Sequence, residues 1–152
     1  MDREQALRRL DAHYQDMPPV SVMRMRIAGY DGDCLRVHAP LACHVNDKGC
    51  AFGGSMNSLM TLAAWGLVSL RLEQAGIDAD VFVADSQVQY LAPLFNDLDA
   101  EARLADGESW EAFIASLRER GRAGTIVAAC VLKPGGLAAQ CRARYVAIAR
   151  RS

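Results

Sequence analysis

The chain has 152 residues, 51% of them apolar and 23% charged, with a net charge of −1. That composition fits one globular domain over residues 1–152 with room for a real core, and it supplies no basic field to recruit nucleic acid. No stretch reaches 18 apolar residues without a polar break, so no membrane span is expected. The five cysteines (Cys34, Cys43, Cys50, Cys130, Cys141) are odd in number and lack paired spacing. The opening MDREQALRRLDAHY has no apolar signal-peptide core. Together these features predict reduced thiols and a cytoplasmic protein.

Asp2 and Gln5 form a capping-box pattern for a first helix, with Ala6, Leu7, Leu10 and Tyr14 on one face and Pro18-Pro19 ending it. Two alternating segments follow. Met23, Met25 and Ile27 oppose Arg24 and Arg26 in the first, and Leu35, Val37 and Ala39 oppose Arg36 and His38 in the second. Tyr30-Asp31-Gly32-Asp33 between them has hairpin-turn chemistry. An irregular loop then leads into a long run from Ser55 to about Ala75, with Ser55 as the expected N-cap and Gly76 as the terminator. This run is apolar nearly all round, which predicts a helix buried on most sides.

Strands resume at Val81–Leu91 and Leu98–Leu104. A short helix is predicted from about Glu108 to Arg120, with Trp110, Phe113, Ile114 and Leu117 at helical spacing and Gly121 at its end. Thr125–Leu132 and Leu137–Ala149 read as two more strands around a Lys133-Pro134-Gly135-Gly136 turn of type II. The sum is an α+β architecture in which six antiparallel strands cover one central helix. The edges of an open sheet invite strand pairing, so a homodimer or a dimer of dimers is expected. Arg142, Arg144, Arg150 and Arg151 near the C-terminus suit a solvated end or a contact with ligand phosphates.

The segment richest in chemistry is Asn46-x-x-Gly49-x-x-Phe52-Gly53-Gly54-Ser55. A glycine pair at the mouth of a buried helix leaves N–H groups free and lets a carbonyl approach without meeting a Cβ. Such a site stabilises developing negative charge on oxygen. The same pair also serves a tight loop that simply closes onto a helix. Asp85, in an apolar strand and on the predicted face of Val83 and Gln87, is the candidate general base, because burial there raises a carboxyl pKa. Asp47 suits an Asx turn, and Thr61 and Ser86 can hold a water without ionising. His38, His44, Cys43 and Cys50 match no zinc spacing, and neither a metal nor a cofactor is expected. Cys50 as a nucleophile would need a base, and only His44 is near it in sequence.

The stretch NDKGCAFGGSMNSLMTLAAWG (Asn46–Gly66), followed by DSQVQYLAP, resembles the thioesterase family of the YiiD C-terminal domain type. More distantly it is similar to the PaaI-like thioesterases, whose loop reads N-x-x-G-x-x-H-G-G. The resemblance implies a hotdog fold and hydrolysis of an acyl-CoA or acyl-carrier thioester by activated water. It implies that Asn46 orients the thioester or the water, and that Gly53 or Gly54 donates to the thioester oxygen. Asp47, Gly49, Phe52, Ser55 and Ser86 would line the substrate. It also implies a site shared between two subunits. Two positions depart from the PaaI-like pattern: Phe52 replaces the His, and Thr61 replaces the helical carboxylate. A Thr hydroxyl is no general base near neutral pH without help. The alternative reading is therefore a binding or sensor protein that keeps the fold without turnover.

Overall fold

In the computed structural model, which describes residues 2–150, Asp2 caps helix α1 (Arg3–Asp16) through a reciprocal capping box with Gln5. The expected face is buried through Ala6, Leu10 and Tyr14. Pro18 then starts a one-turn helix, α2 (Pro18–Ser21), because the fixed φ of proline suits a first helical position. Strand β1 covers Arg26–Tyr30, not the expected Met23–Ile27. Arg24 adopts φ +53, which turns the chain before the strand can begin. The turn into β2 (Leu35–Ala39) is held by Asp31, whose Oδ1 accepts the Asp33 and Cys34 N–H groups at 2.9 and 2.8 Å.

The remaining elements are α3 (Gly53–Gln74), β3 (Ala79–Tyr90), β4 (Leu98–Leu104), α4 (Trp110–Arg120), β5 (Arg122–Lys133) and β6 (Gly136–Ala149). The six strands form one antiparallel sheet in the order β1-β2-β4-β5-β6-β3. Its inner face presents Leu35, Val37, Ala100, Ala102, Val127, Val131, Ala143 and Tyr145, all buried against α3. Leu59, Met60, Ala63, Ala64, Leu67, Val68 and Leu70 of α3 have no exposed surface. Each Leu buried this way contributes about 1.5–3 kcal/mol, so the sheet and the helix hold each other. This is the hotdog arrangement. No helix among the described residues is long and apolar enough to cross a membrane.

Helix α1 packs against α3. There Gly66 is buried, and a Cβ on it would collide with the Tyr14 hydroxyl. The missing side chain lets Tyr14 donate to the Leu62 carbonyl at 2.6 Å. From the sheet side, the Tyr145 hydroxyl donates to the neighbouring Thr61 carbonyl at 3.2 Å. Burial pushes both phenols above their ordinary range. The Trp65-Gly66 pair is thus a helix-crossing device.

The two sheet edges differ. β1 is five residues long and bulged between Ile27 and Gly29, with the Arg36 guanidinium folded over Gly29. β3 is twelve residues long and exposes Phe82, Val83 and Tyr90. At the C-terminal end Arg150 pairs with Asp78 and Asp80, both at 2.7 Å, while Arg142 and Arg144 are exposed on the outer sheet face. Arg151 lies outside the described residues.

Candidate active site

The loop before α3 is closed by its own backbone. Val45 bridges Ala51, and the Asn46 N–H donates to the Cys50 carbonyl at 2.8 Å. The Asx turn belongs to Asn46, not to Asp47 as expected: Asn46 Oδ1 accepts the Lys48 N–H at 2.8 Å and the Cys50 N–H at 3.2 Å. Asp47 is exposed and pairs with Lys48 at 2.9 Å. Gly49 takes φ +78, the left-handed conformation that this tight loop needs. The Asn46 carboxamide oxygen is engaged in shaping the loop, so it acts on the site through the loop.

Helix α3 begins three residues earlier than the sequence suggests. Phe52 is its N-cap, in extended backbone (φ −63, ψ 132) and without a side-chain cap. Ser55 is the third helical residue, and its N–H donates to the Phe52 carbonyl at 3.0 Å. The Gly53 and Gly54 N–H groups have no acceptor among the described residues. They are the unsatisfied donors at the positive end of a 22-residue helix. The exposed Phe52 ring lies over Gly54, where a Cβ would come within 2.6 Å of it. The Tyr90 ring abuts Gly53 from the end of β3. The glycine pair is thus flanked by two aromatic rings.

Sequence reasoning missed the partner of Ser55. His44 is buried, and its Nδ1 lies 2.8 Å from Ser55 Oγ. Its Nε2 lies 2.8 Å from the Met23 carbonyl oxygen. A carbonyl only accepts, so Nε2 carries the hydrogen and the neutral imidazole offers Nδ1 as acceptor to the Ser55 hydroxyl. Both ring nitrogens are therefore committed, and His44 is not a base for Cys50. The Cys50 thiol is buried beside Asn46, 3.3 Å from its Nδ2.

Beyond the glycines, Ser58, Thr61 and Trp65 continue a half-buried stripe along α3, with the Trp65 indole N–H donating to the Val81 carbonyl of β3 at 2.9 Å. Asn57 lies beside it, with a buried Oδ1 that finds no partner among the described residues. Thr61 is eight residues past Gly53, about 12 Å along the helix axis at ~1.5 Å per residue. No Asp or Glu occurs between Gly53 and Leu72.

Asp85 departs from its expected surroundings. The register with β6 slips between Val83 and Asp85, a bulge at Ala84. Val83 opposes Tyr145, which faces α3, but Asp85 opposes the exposed Arg144. Opposed residues share a face, so the bulge turns Asp85 to the outer side together with Gln87, and away from that of Val83. Asp85 is exposed, not buried. It also lies five residues before Tyr90, about 16 Å at ~3.3 Å per residue from the aromatic that touches Gly53. Ser86, opposite the buried Ala143, faces the helix side instead.

Two concavities flank these elements. One of about 530 Å³ lies between α1, the second half of α3 and the start of β3, with Trp65, Leu70, Ile77 and Val81 among its walls. The other, about 610 Å³, lies on the outer sheet face over Gln87, Gln140 and Cys130. Burial, with Glu101 adding to it, pushes the Cys130 thiol up to about 11, which keeps it protonated near neutral pH.

The family described as "Putative thioesterase (yiiD_Cterm)" matches residues 7–149. Among solved structures, a Shewanella oneidensis protein described as a "putative thioesterase" is 30% identical, with TM-score 0.84, over 95% of this chain and 99% of that one. A Chlorobaculum tepidum protein of unknown function is 26% identical, with TM-score 0.91, over 97% of each chain. A Pseudomonas aeruginosa protein described as a "probable thioesterase" shares the fold at 20% identity and TM-score 0.80, over 99% of this chain and 97% of that one.

Proposed function

Because this chain belongs to the YiiD C-terminal thioesterase family, we propose that it hydrolyses an acyl thioester carried on CoA or on an acyl carrier, and that it does so as a dimer. The observation that carries this reading is the pair of unengaged amides at Gly53 and Gly54. A thioester carbonyl placed against them gains charge-stabilising donors as its carbon becomes tetrahedral. Each such donor is worth about 3–4 kcal/mol of barrier in comparable sites. Asn46 fixes the loop that aims them, and Phe52 shields them from bulk water. Thr61 and Ser86 offer hydroxyls toward the same helix side. The twelve-residue β3 edge supplies the seam along which a second copy adds its own strand.

A second reading, a thioester binder without turnover, is favoured by the absence of any carboxylate along α3 from Gly53 to Leu72. A panel of acyl-CoAs of graded chain length separates the two. Hydrolysis gives thiol release that saturates with substrate. Saturable binding with no thiol release on any member would leave the binder reading standing alone.

A further inference from the structure

We propose that Ser55 is a nucleophile, activated by His44, and that the acyl group passes through an ester on its Oγ. The inference rests on the thioesterase reading for its substrate, but its geometry stands apart from it. Three features coincide within one loop and one helical turn. The Ser55 hydroxyl donates to His44 Nδ1 at 2.8 Å. The far nitrogen of the same imidazole is anchored on the Met23 carbonyl at 2.8 Å, which fixes tautomer and ring orientation. The two residues preceding Ser55 carry the unengaged N–H groups. Nucleophile, base, orienting acceptor and oxyanion donors are the parts that acyl transfer requires.

The alternative is that the pair merely tethers the loop, but the Phe52 N–H already does this, donating to the His44 carbonyl at 2.7 Å. A buried imidazole beside an uncapped helix start also adds nothing to helix capping, since the Ser55 hydroxyl points to the ring and not to an amide. The arrangement further accounts for a helix without a carboxylate: the proton acceptor sits before the helix, not within it.

The chemistry closes in two steps. As Oγ attacks the thioester carbon, its proton moves to His44 Nδ1, and the carbonyl oxygen takes the electron pair and faces the Gly53 and Gly54 amides. The C–S bond then breaks, the thiolate leaves with the His44 proton, and the acyl group remains on Ser55. Water next attacks the ester and gives its proton to His44. The C–Oγ bond breaks, Oγ recovers the proton, and the carboxylic acid departs.

The test uses an alkyl fluorophosphonate, which phosphonylates activated serines and needs no thioester substrate. The native protein takes up one adduct by intact mass, and peptide mapping places it on Ser55. His44→Gln slows labelling by ~10²-fold or more. Ser55→Ala, folded by circular dichroism, loses at least ~10²-fold in kcat. No Ser55 adduct on native, active protein overturns the proposal, as does a folded Ser55→Ala variant with undiminished kcat. Labelling at Ser55 without turnover of any acyl-CoA upholds the Ser–His pair and removes the thioesterase reading instead.

Discussion

The two halves of α3 belong to one apolar helix and are treated in opposite ways. Around residues 59–70 the helix backbone is held from two sides: Tyr14 and Tyr145 hydrogen-bond adjacent carbonyls, and Gly66 makes room for the Tyr14 hydroxyl. At residues 53–55 the backbone is left unfinished, with two donors unmatched and a serine committed to a buried histidine. A helix start could be closed with a single Ser, Thr or Asp at the N-cap, worth about 1 kcal/mol. Here the N-cap is Phe52, which caps nothing. The packed half gives stability and the open half forgoes some of it, which is how a site for a transient charge is built on a rigid element.

If this division holds, changes in the two halves separate cleanly. The largest expected effect on stability is Gly66→Ala. The new methyl displaces the Tyr14 hydroxyl and presses on Leu35, costing about 2–4 kcal/mol after the gain in helix propensity, roughly 5–12 °C in Tm by calorimetry. Residual activity per folded molecule should be preserved. A smaller effect concerns the β3 edge. Val83→Lys puts charge onto the exposed β3 edge, so light scattering should show a monomer for the variant against the dimer proposed for the native protein, with the isolated chain still folded. An unchanged mass would place the dimer contact elsewhere. The smallest effect is expected at Asp85. Asp85→Asn should change kcat by less than about 3-fold, since its carboxylate faces away from the helix bearing the open amides. A loss above ~10²-fold would show that a second copy's Asp85 supplies the base.

Where pattern and packing agree, the fold was legible in the residues. The Asp2–Gln5 box, the apolar run of α3, the helical stripe of α4 and the Pro134-Gly135 turn all appear where spacing puts them, with Gly135 at φ +76. Errors arose where one backbone event resets a pattern. A positive φ at Arg24 delays β1, and the bulge at Ala84 reverses the face of Asp85, though neither residue type announces it. Ser55 has the side chain of an N-cap, but Gly53 and Gly54 accept helical geometry and the N-cap moves three residues upstream to Phe52. The glycine pair at the site was visible as a motif. The His44–Ser55 contact was not, because it joins a loop to a helix across eleven residues with no periodicity to mark it.

The central claim, that the first amides of α3 receive the reacting oxygen, meets its most direct test in Gly53→Pro. Proline is well suited to a first helical position, and Phe52 already holds the extended conformation that a residue before proline requires. The substitution deletes the Gly53 N–H, and the added Cβ would meet the Tyr90 ring at 3.4 Å, an ordinary contact distance. The account predicts an unchanged Tm with kcat lowered by about 10²–10³-fold. An equally stable Gly53→Pro protein with native kcat would contradict it.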